Sequence, residues 1–130
     1  MSEEFVKHWM DGSEEDFETM IVLYNNGRNT GALFFGHLLI EKLFKALFAK
    51  LNPDDPHAPK IHNLIRLATL CGLELTSKQT GELGLINRFN IDARYEDTKK
   101  EFYKLCTKEF AKEQVEIIKE FRQWLKTKLT

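Results

Sequence analysis

Cysteine, proline and any excess of charge are all scarce in this chain. Two cysteines, Cys71 and Cys106, stand far apart in 130 residues with no metal-ligand motif around them. That excludes a disulfide scaffold and a zinc finger, and leaves both as buried small apolar residues in a reducing compartment. Only three prolines occur, and all of them crowd into Asn52-Pro53-Asp54-Asp55-Pro56-His57-Ala58-Pro59. With 19 Lys+Arg against 20 Asp+Glu, the formal charge is −1, which argues against wholesale binding of nucleic acid or membrane and leaves room only for a local patch. The longest apolar stretch, Ala32 to Phe48, is interrupted by His37, Glu41, Lys42 and Lys45, so it is no membrane span. Met1-Ser2-Glu3-Glu4-Phe5 is acidic and lacks the basic region and apolar core of a signal peptide. A cytoplasmic location is the expectation. No internal repeat or low-complexity tract is present.

What is present is ordinary for a folded domain: 42% apolar and 30% charged residues. The length suits one domain over residues 1–130. Outside the proline segment, apolar residues recur at spacings of three and four, and β-branched runs are few. The fold class this predicts is all-α, an antiparallel bundle of four to five helices.

The first block reads as a short lead, Phe5 to Met10, a break at Asp11-Gly12, and a helix capped by Ser13, with Glu14, Glu15 and Asp16 at its positive end. Phe17, Met20, Ile21 and Tyr24 make its apolar stripe, and Asn25-Asn26-Gly27 is a stop signal. A second helix spans about Asn29 to Leu51 and is apolar over more than half its circumference. At about 100° per residue, His37, Glu41 and Lys45 fall on one polar stripe, with Lys42 at its margin. A helix this apolar needs cover on several sides, as a central helix, a subunit interface or both. After the proline loop comes a short helix, His62 to Cys71, closed by Gly72. Thr76 and Gln79 form a capping box for the next, whose buried face carries Leu83, Ile86, Phe89 and Asn90. Gly81 and Gly84 weaken that helix unless close packing needs them. Asp92 to Asp97 interrupts the pattern, Lys99 to Leu105 is a short helical stretch, and Thr107 caps a last helix reaching about Lys128.

Three segments in this order resemble the HEPN domain, a small helical domain often found beside minimal nucleotidyltransferases in prokaryotes. Phe35-Gly36-His37-Leu38-Leu39-Ile40-Glu41-Lys42-Leu43-Phe44-Lys45-Ala46-Leu47 is similar to the family's aromatic-x-His-x-x-x-Glu-Lys-x-x-Lys-Ala run. Lys60-Ile61-His62-Asn63-Leu64 resembles its Lys-x-His-[Asp/Asn]-Leu start of the third helix. Asp92-Ala93-Arg94-Tyr95-Glu96-Asp97 resembles its Thr-Arg-Tyr-Pro-Asp segment. The resemblance implies a homodimer in which the Arg-containing segments of two subunits flank a shared cleft. It also implies a nucleotide or RNA ligand and a minimal nucleotidyltransferase partner, in a toxin–antitoxin or defence-type system. Arg94, Tyr95, Lys42, Lys45, His62 and His37 are the nucleotide- or phosphate-binding residues it points to.

One departure bears on activity. Ribonucleases of the family place a histidine four to six residues after the catalytic arginine, whereas Tyr95 to Glu101 contains none. Cleavage needs a group to take the 2′-hydroxyl proton, and Tyr95 is too weakly acidic to stand in near neutral pH. The leading expectation is therefore a non-catalytic module with no catalytic residue, no metal and no cofactor. The alternatives are a ribonuclease toxin with a degenerate active site, or a helical protein–protein scaffold with no nucleotide ligand.

Each residue also has a plainer reading. The His37–Glu41–Lys45 stripe is either a ligand face or an i, i+4 polar network on a packed helix. His62 is a ligand contact or a side chain capping the helix or tethering the loop. Arg94 grips phosphate, with Tyr95 stacking on a base, or it pairs with Asp92 or Asp97. Asp54, Asp55 and His57 match no metal spacing and read as a solvated loop. Lys99, Lys100, Lys104, Lys108 and Lys112 alternate with acids and read as a solvated face.

Overall fold

The structure, a computed structural model, describes the backbone of residues 2–94 and 96–130 and the side chains of 2–92 and 99–130. Among these residues there are six helices and no strand: α1 (Ser2–Asn25), α2 (Asn29–Leu51), α3 (Leu64–Leu70), α4 (Ser77–Arg94), α5 (Glu96–Leu105) and α6 (Lys108–Leu129). Four long helices make the bundle, and the two short ones, α3 and α5, serve as connectors. The all-α expectation holds. Among the described residues, no helix is long and apolar enough to cross a membrane.

The helix ends follow from local chemistry. Gly27 and Gly72 adopt φ of 72° and 69°, the left-handed region that costs glycine little. They terminate α1 and α3 with the same pair of bonds. Arg28 N–H donates to the Leu23 carbonyl and Gly27 N–H to that of Tyr24, while Leu73 N–H donates to Ala68 and Gly72 N–H to Thr69. Asn63, not His62, caps α3, accepting from the amides of Ile65 and Arg66. Thr76 and Gln79 satisfy one another's amides at 3.0 and 2.9 Å, and Thr107 accepts from Phe110 N–H.

Helix α2 is the centre. It packs on α1, α3, α4 and α6, and Leu33, Leu39, Ile40, Phe44 and Ala46 are fully buried in it. α1 runs antiparallel to it, so Met20 lies by Gly36, Asp16 by Lys42 and Trp9 by Lys45. α6 packs along α2 and α1, with Ile118 against Gly36 and Arg122 reaching Glu14 at 2.8 Å. The core joins Met20, Phe44, Leu67, Ile86, Phe89, Phe102, Ile118 and Leu125.

Two expectations need correction, and one open question is answered. No break occurs at Asp11-Gly12, and Ser13 is not a cap: α1 is continuous, and the buried Ser13 hydroxyl donates to the Leu39 carbonyl at 3.0 Å. A Cβ at Gly12 would lie 3.2 Å from Cδ of Lys42, a tight contact on the α2-facing side of the helix. Helical pattern also continues through Asp92, so α4 ends at Arg94 and α5 starts at Glu96, not Lys99. No tight packing explains Gly81 or Gly84, since a Cβ at 81 meets nothing and at 84 only Ile65 at 3.9 Å.

Two predictions follow from this packing. A Cβ at Gly36 would sit 2.4 Å from Cδ1 of the fully buried Ile118 and 3.3 Å from Sδ of Met20. Gly36→Ala should therefore cost about 1–3 kcal/mol of stability, read as a lower urea midpoint. Burial pushes the Cys71 thiol up to about 11, and burial together with the Asp92 carboxylate pushes Cys106 up to about 12, both from 9.0. Above pH 9.0 the unfolded thiols ionise first, so the native chain holds more protons. Its stability should fall as pH rises from there through 11, and the Cys71→Ser/Cys106→Ser variant should show a shallower decline.

Candidate functional site

The polar stripe of α2 meets the start of α3 and the second half of α4 at one corner of the bundle. Glu41 is its hub. Glu41 is 6% exposed, and its carboxylate divides its oxygens between two partners: Oε2 accepts from Lys45 Nζ at 3.0 Å, and Oε1 from His62 Nδ1 at 2.9 Å. Lys45 comes one turn after Glu41, the order that suits an i, i+4 pair. Its ammonium also lies 5.2 Å from the Trp9 ring centroid, a cation–π contact that helps a buried charge.

His37 is fully buried beside them. Its Nε2 stands 2.9 Å from the His62 carbonyl, which can only accept, so Nε2 carries the hydrogen. Nδ1 then faces the Asn90 amide at 3.4 Å and Glu41 Oε1 at 3.7 Å. The backbone of His62 is thus fixed by His37 while its side chain is fixed by Glu41. Its ring stays 59% exposed, with Nδ1 turned inward to the carboxylate. Next to it, Asn87 locks the start of α3: Oδ1 accepts from Leu64 N–H at 2.8 Å, and Nδ2 donates to Asn63 Oδ1 at 3.1 Å. Asn87 and Asn90 lie on α4, and Arg94, its last residue, comes one turn after Asn90.

The six residues singled out from sequence take different places. His37, Lys45 and His62 come together around Glu41. Lys42 points instead to α1, with its ammonium 2.7 Å from Asp16, and is 28% exposed. The Arg94 side chain and Tyr95 lie outside the described residues. Asp92, the other end of that segment, is buried and pairs with Arg88 at 3.4 Å. His57 and Asp55 are exposed, as expected of a solvated loop, and 3.6 Å apart, and the His57 ring also meets Phe5 edge-on. Among the described residues, no group of three His, Cys, Asp or Glu side chains is placed to hold a metal ion.

Sequence reasoning missed Asn87, Trp9 and the role of Asn63. The last had a readable signal, an Asn immediately before an apolar run. The other two meet the site only through tertiary contact.

Chemically, the corner offers an exposed imidazole whose other nitrogen is held by a buried carboxylate. Such a ring can donate to an anion when protonated or take a proton when neutral. The site is thus one corner of an all-α bundle built on a His–Glu–Lys stripe, with Arg94 closing the neighbouring helix. The family model described as HEPN domain matches residues 6–128, and the chain belongs to that family. No curated protein and no solved structure matches it.

Removing Glu41 strands the buried Lys45 ammonium and releases the exposed His62 ring. Both ends of the Glu41–Lys45 pair are 7% exposed, so Glu41→Gln should cost about 3–5 kcal/mol by urea unfolding. Glu41→Gln with Lys45→Met should recover much of that, since no unpaired charge is left inside.

Proposed function

We propose that this chain is a homodimeric HEPN module that binds the phosphate of a nucleotide or RNA without cleaving it, beside a minimal nucleotidyltransferase partner. The observation that carries the reading is the His62 ring, exposed yet fixed at both its backbone and Nδ1. An immobilised imidazole loses little entropy on gripping an anion. Arg94, one turn past Asn90, supplies the bidentate cation that such a site needs. Tyr95 adds a face for a base. Lys45 and His37 act from behind as positioning residues, and Lys42 serves α1.

Dimerisation is supported by exposed apolar side chains on the two helices that flank the Arg94 segment. Ile91 is 55% exposed, Tyr103 74% and Leu105 40%. HEPN domains commonly dimerise. The absence of histidine from Tyr95 to Glu101 supports binding over turnover. One observation favours a second reading, ribonuclease: His62 is a ring placed to take a 2′-hydroxyl proton through Nε2 while Glu41 steadies Nδ1.

A labelled oligoribonucleotide followed by fluorescence anisotropy and by gel separates the two readings. We expect salt-sensitive binding, intact RNA, and an affinity loss of about tenfold in Arg94→Ala and in His62→Ala. Light scattering should give twice 15.2 kDa. RNA cut by the wild type and spared by His62→Ala would establish the ribonuclease. No binding and no stabilisation by nucleotide, where a ligand at 100 times its Kd should add about 2.7 kcal/mol, would remove both.

A further inference from the structure

A groove runs between the first half of α4 and the outer face of α6, away from the His62 corner. The two helices meet where Phe89 packs on Phe110, with ring centroids 6.2 Å apart, and beyond that contact they leave space. Two adjoining cavities occupy it, about 560 and 370 Å³ in volume, sharing Lys78, Glu82 and Glu120 in their walls. Ile117, Phe121 and Trp124 give them an apolar floor.

The rim is strongly one-signed. Five carboxylates, Glu82, Glu109, Glu113, Glu116 and Glu120, face two ammonium groups, Lys78 and Lys112, a formal balance of −3. The whole chain carries −1, so everything outside this groove sums to +2. Of the five, only Glu116 has an ion pair among the described residues, a loose one to Lys119 at 3.8 Å. From Glu109 to Glu120 the rim is about 16 Å long, three turns of helix. An apolar floor between two antiparallel helices, walled by unneutralised acid, is shaped for a third helix with an apolar ridge and basic flanks.

We propose that the α4–α6 groove docks a cationic amphipathic helix of a partner protein. Apolar residues of that helix cover Ile117 and Trp124, and its lysines and arginines neutralise Glu82, Glu109, Glu113 and Glu120. A nucleic acid is repelled from this face, so the groove is independent of the phosphate-binding corner.

The test uses the full chain and a fluorescein-labelled helical peptide of about 14 residues, leucines on one face and lysines and arginines on the others. A second peptide of the same charge carries glutamine for every leucine. The leucine peptide should bind about tenfold more tightly than the glutamine peptide. Glu113→Gln/Glu120→Gln should weaken it about tenfold, and Ile117→Ser about fivefold, while the α1 control Glu15→Gln/Glu18→Gln stays within about twofold. Glu113, Glu120, Glu15 and Glu18 are exposed, so the glutamine variants should keep the wild-type urea midpoint. Equal affinity for the two peptides, or an equal loss in the α1 control, would show a polycation surface and overturn the proposal. So would no binding of the leucine peptide, or a fall in the mass of the assembly on Glu113→Gln/Glu120→Gln, which would give the groove to a second copy of the chain. Oligoribonucleotide binding at the His62 corner should be the same in the groove variants, which separates this result from that of the phosphate reading.

Discussion

A helix surrounded on every side cannot send its polar side chains to water, and α2 is surrounded by α1, α3, α4 and α6. Its His37, Glu41 and Lys45 are all within 6% of full burial, so each must find its partner inside the protein. The carboxylate of Glu41 meets that demand with two donors of different kinds. Lys45 comes from the same helix and is in place as soon as α2 forms. His62 comes from the far side of the proline loop and arrives only when the chain from 52 to 63 has been laid down correctly. The pair therefore ties a local helix contact to the course of the longest irregular segment. A half-satisfied version of the network would cost more than an apolar core, because a buried ammonium or carboxylate left alone loses its hydration without compensation.

The same demand explains why the start of α3 is so heavily bonded. Its seven residues are too short to hold a helical conformation without support. Support comes from Asn63 capping two amides, Asn87 accepting from a third, and His37 holding the carbonyl just before them. Leu64, Leu67 and Ala68 then bury against the core. What fixes α3 also fixes the exposed ring of His62, so local stability and the presentation of a candidate site residue have one cause.

Much of this was legible in the sequence, for reasons that are local. The spacing of apolar residues, the proline cluster, Gly27, Gly72, the Thr76–Gln79 box and Thr107 each act within a few residues, and the structure shows each in its expected role. So was the HEPN resemblance, because its segments sit on α2, on the entry to α3 and at the end of α4. Helical periodicity set His37, Glu41 and Lys45 on one stripe but could not say whether water or protein lay beyond it. Only Asn90, Trp9 and the loop at His62 decide that, and they come from α4, α1 and the α2–α3 connection. Gly12 misled for a related reason. Asp-Gly beside a capping serine is a helix-start pattern, yet here the glycine clears space for Lys42 and the serine bonds across to α2. A tertiary requirement had the same residue signature as a local one.

Near-zero net charge turns out to be a poor guide to what the surface can bind. The formal −1 conceals a groove of −3 whose counterweight is spread over the other faces. Glu82, the rim's carboxylate on α4, comes more than three helical turns before Arg94, about 18 Å along the axis. That is about twice a Debye length of about 8 Å at physiological ionic strength, so Glu82 does little to repel a phosphate at the end of the same helix. Glu109, at the other end of the rim, stands next to Phe110, which packs on Phe89, and so lies closer to that end of α4. The two proposed sites would therefore feel one another's charge chiefly through Glu109. Any further coupling would need movement of α4, and α4 is pinned to α2 and α3 through Asn87 and Asn90.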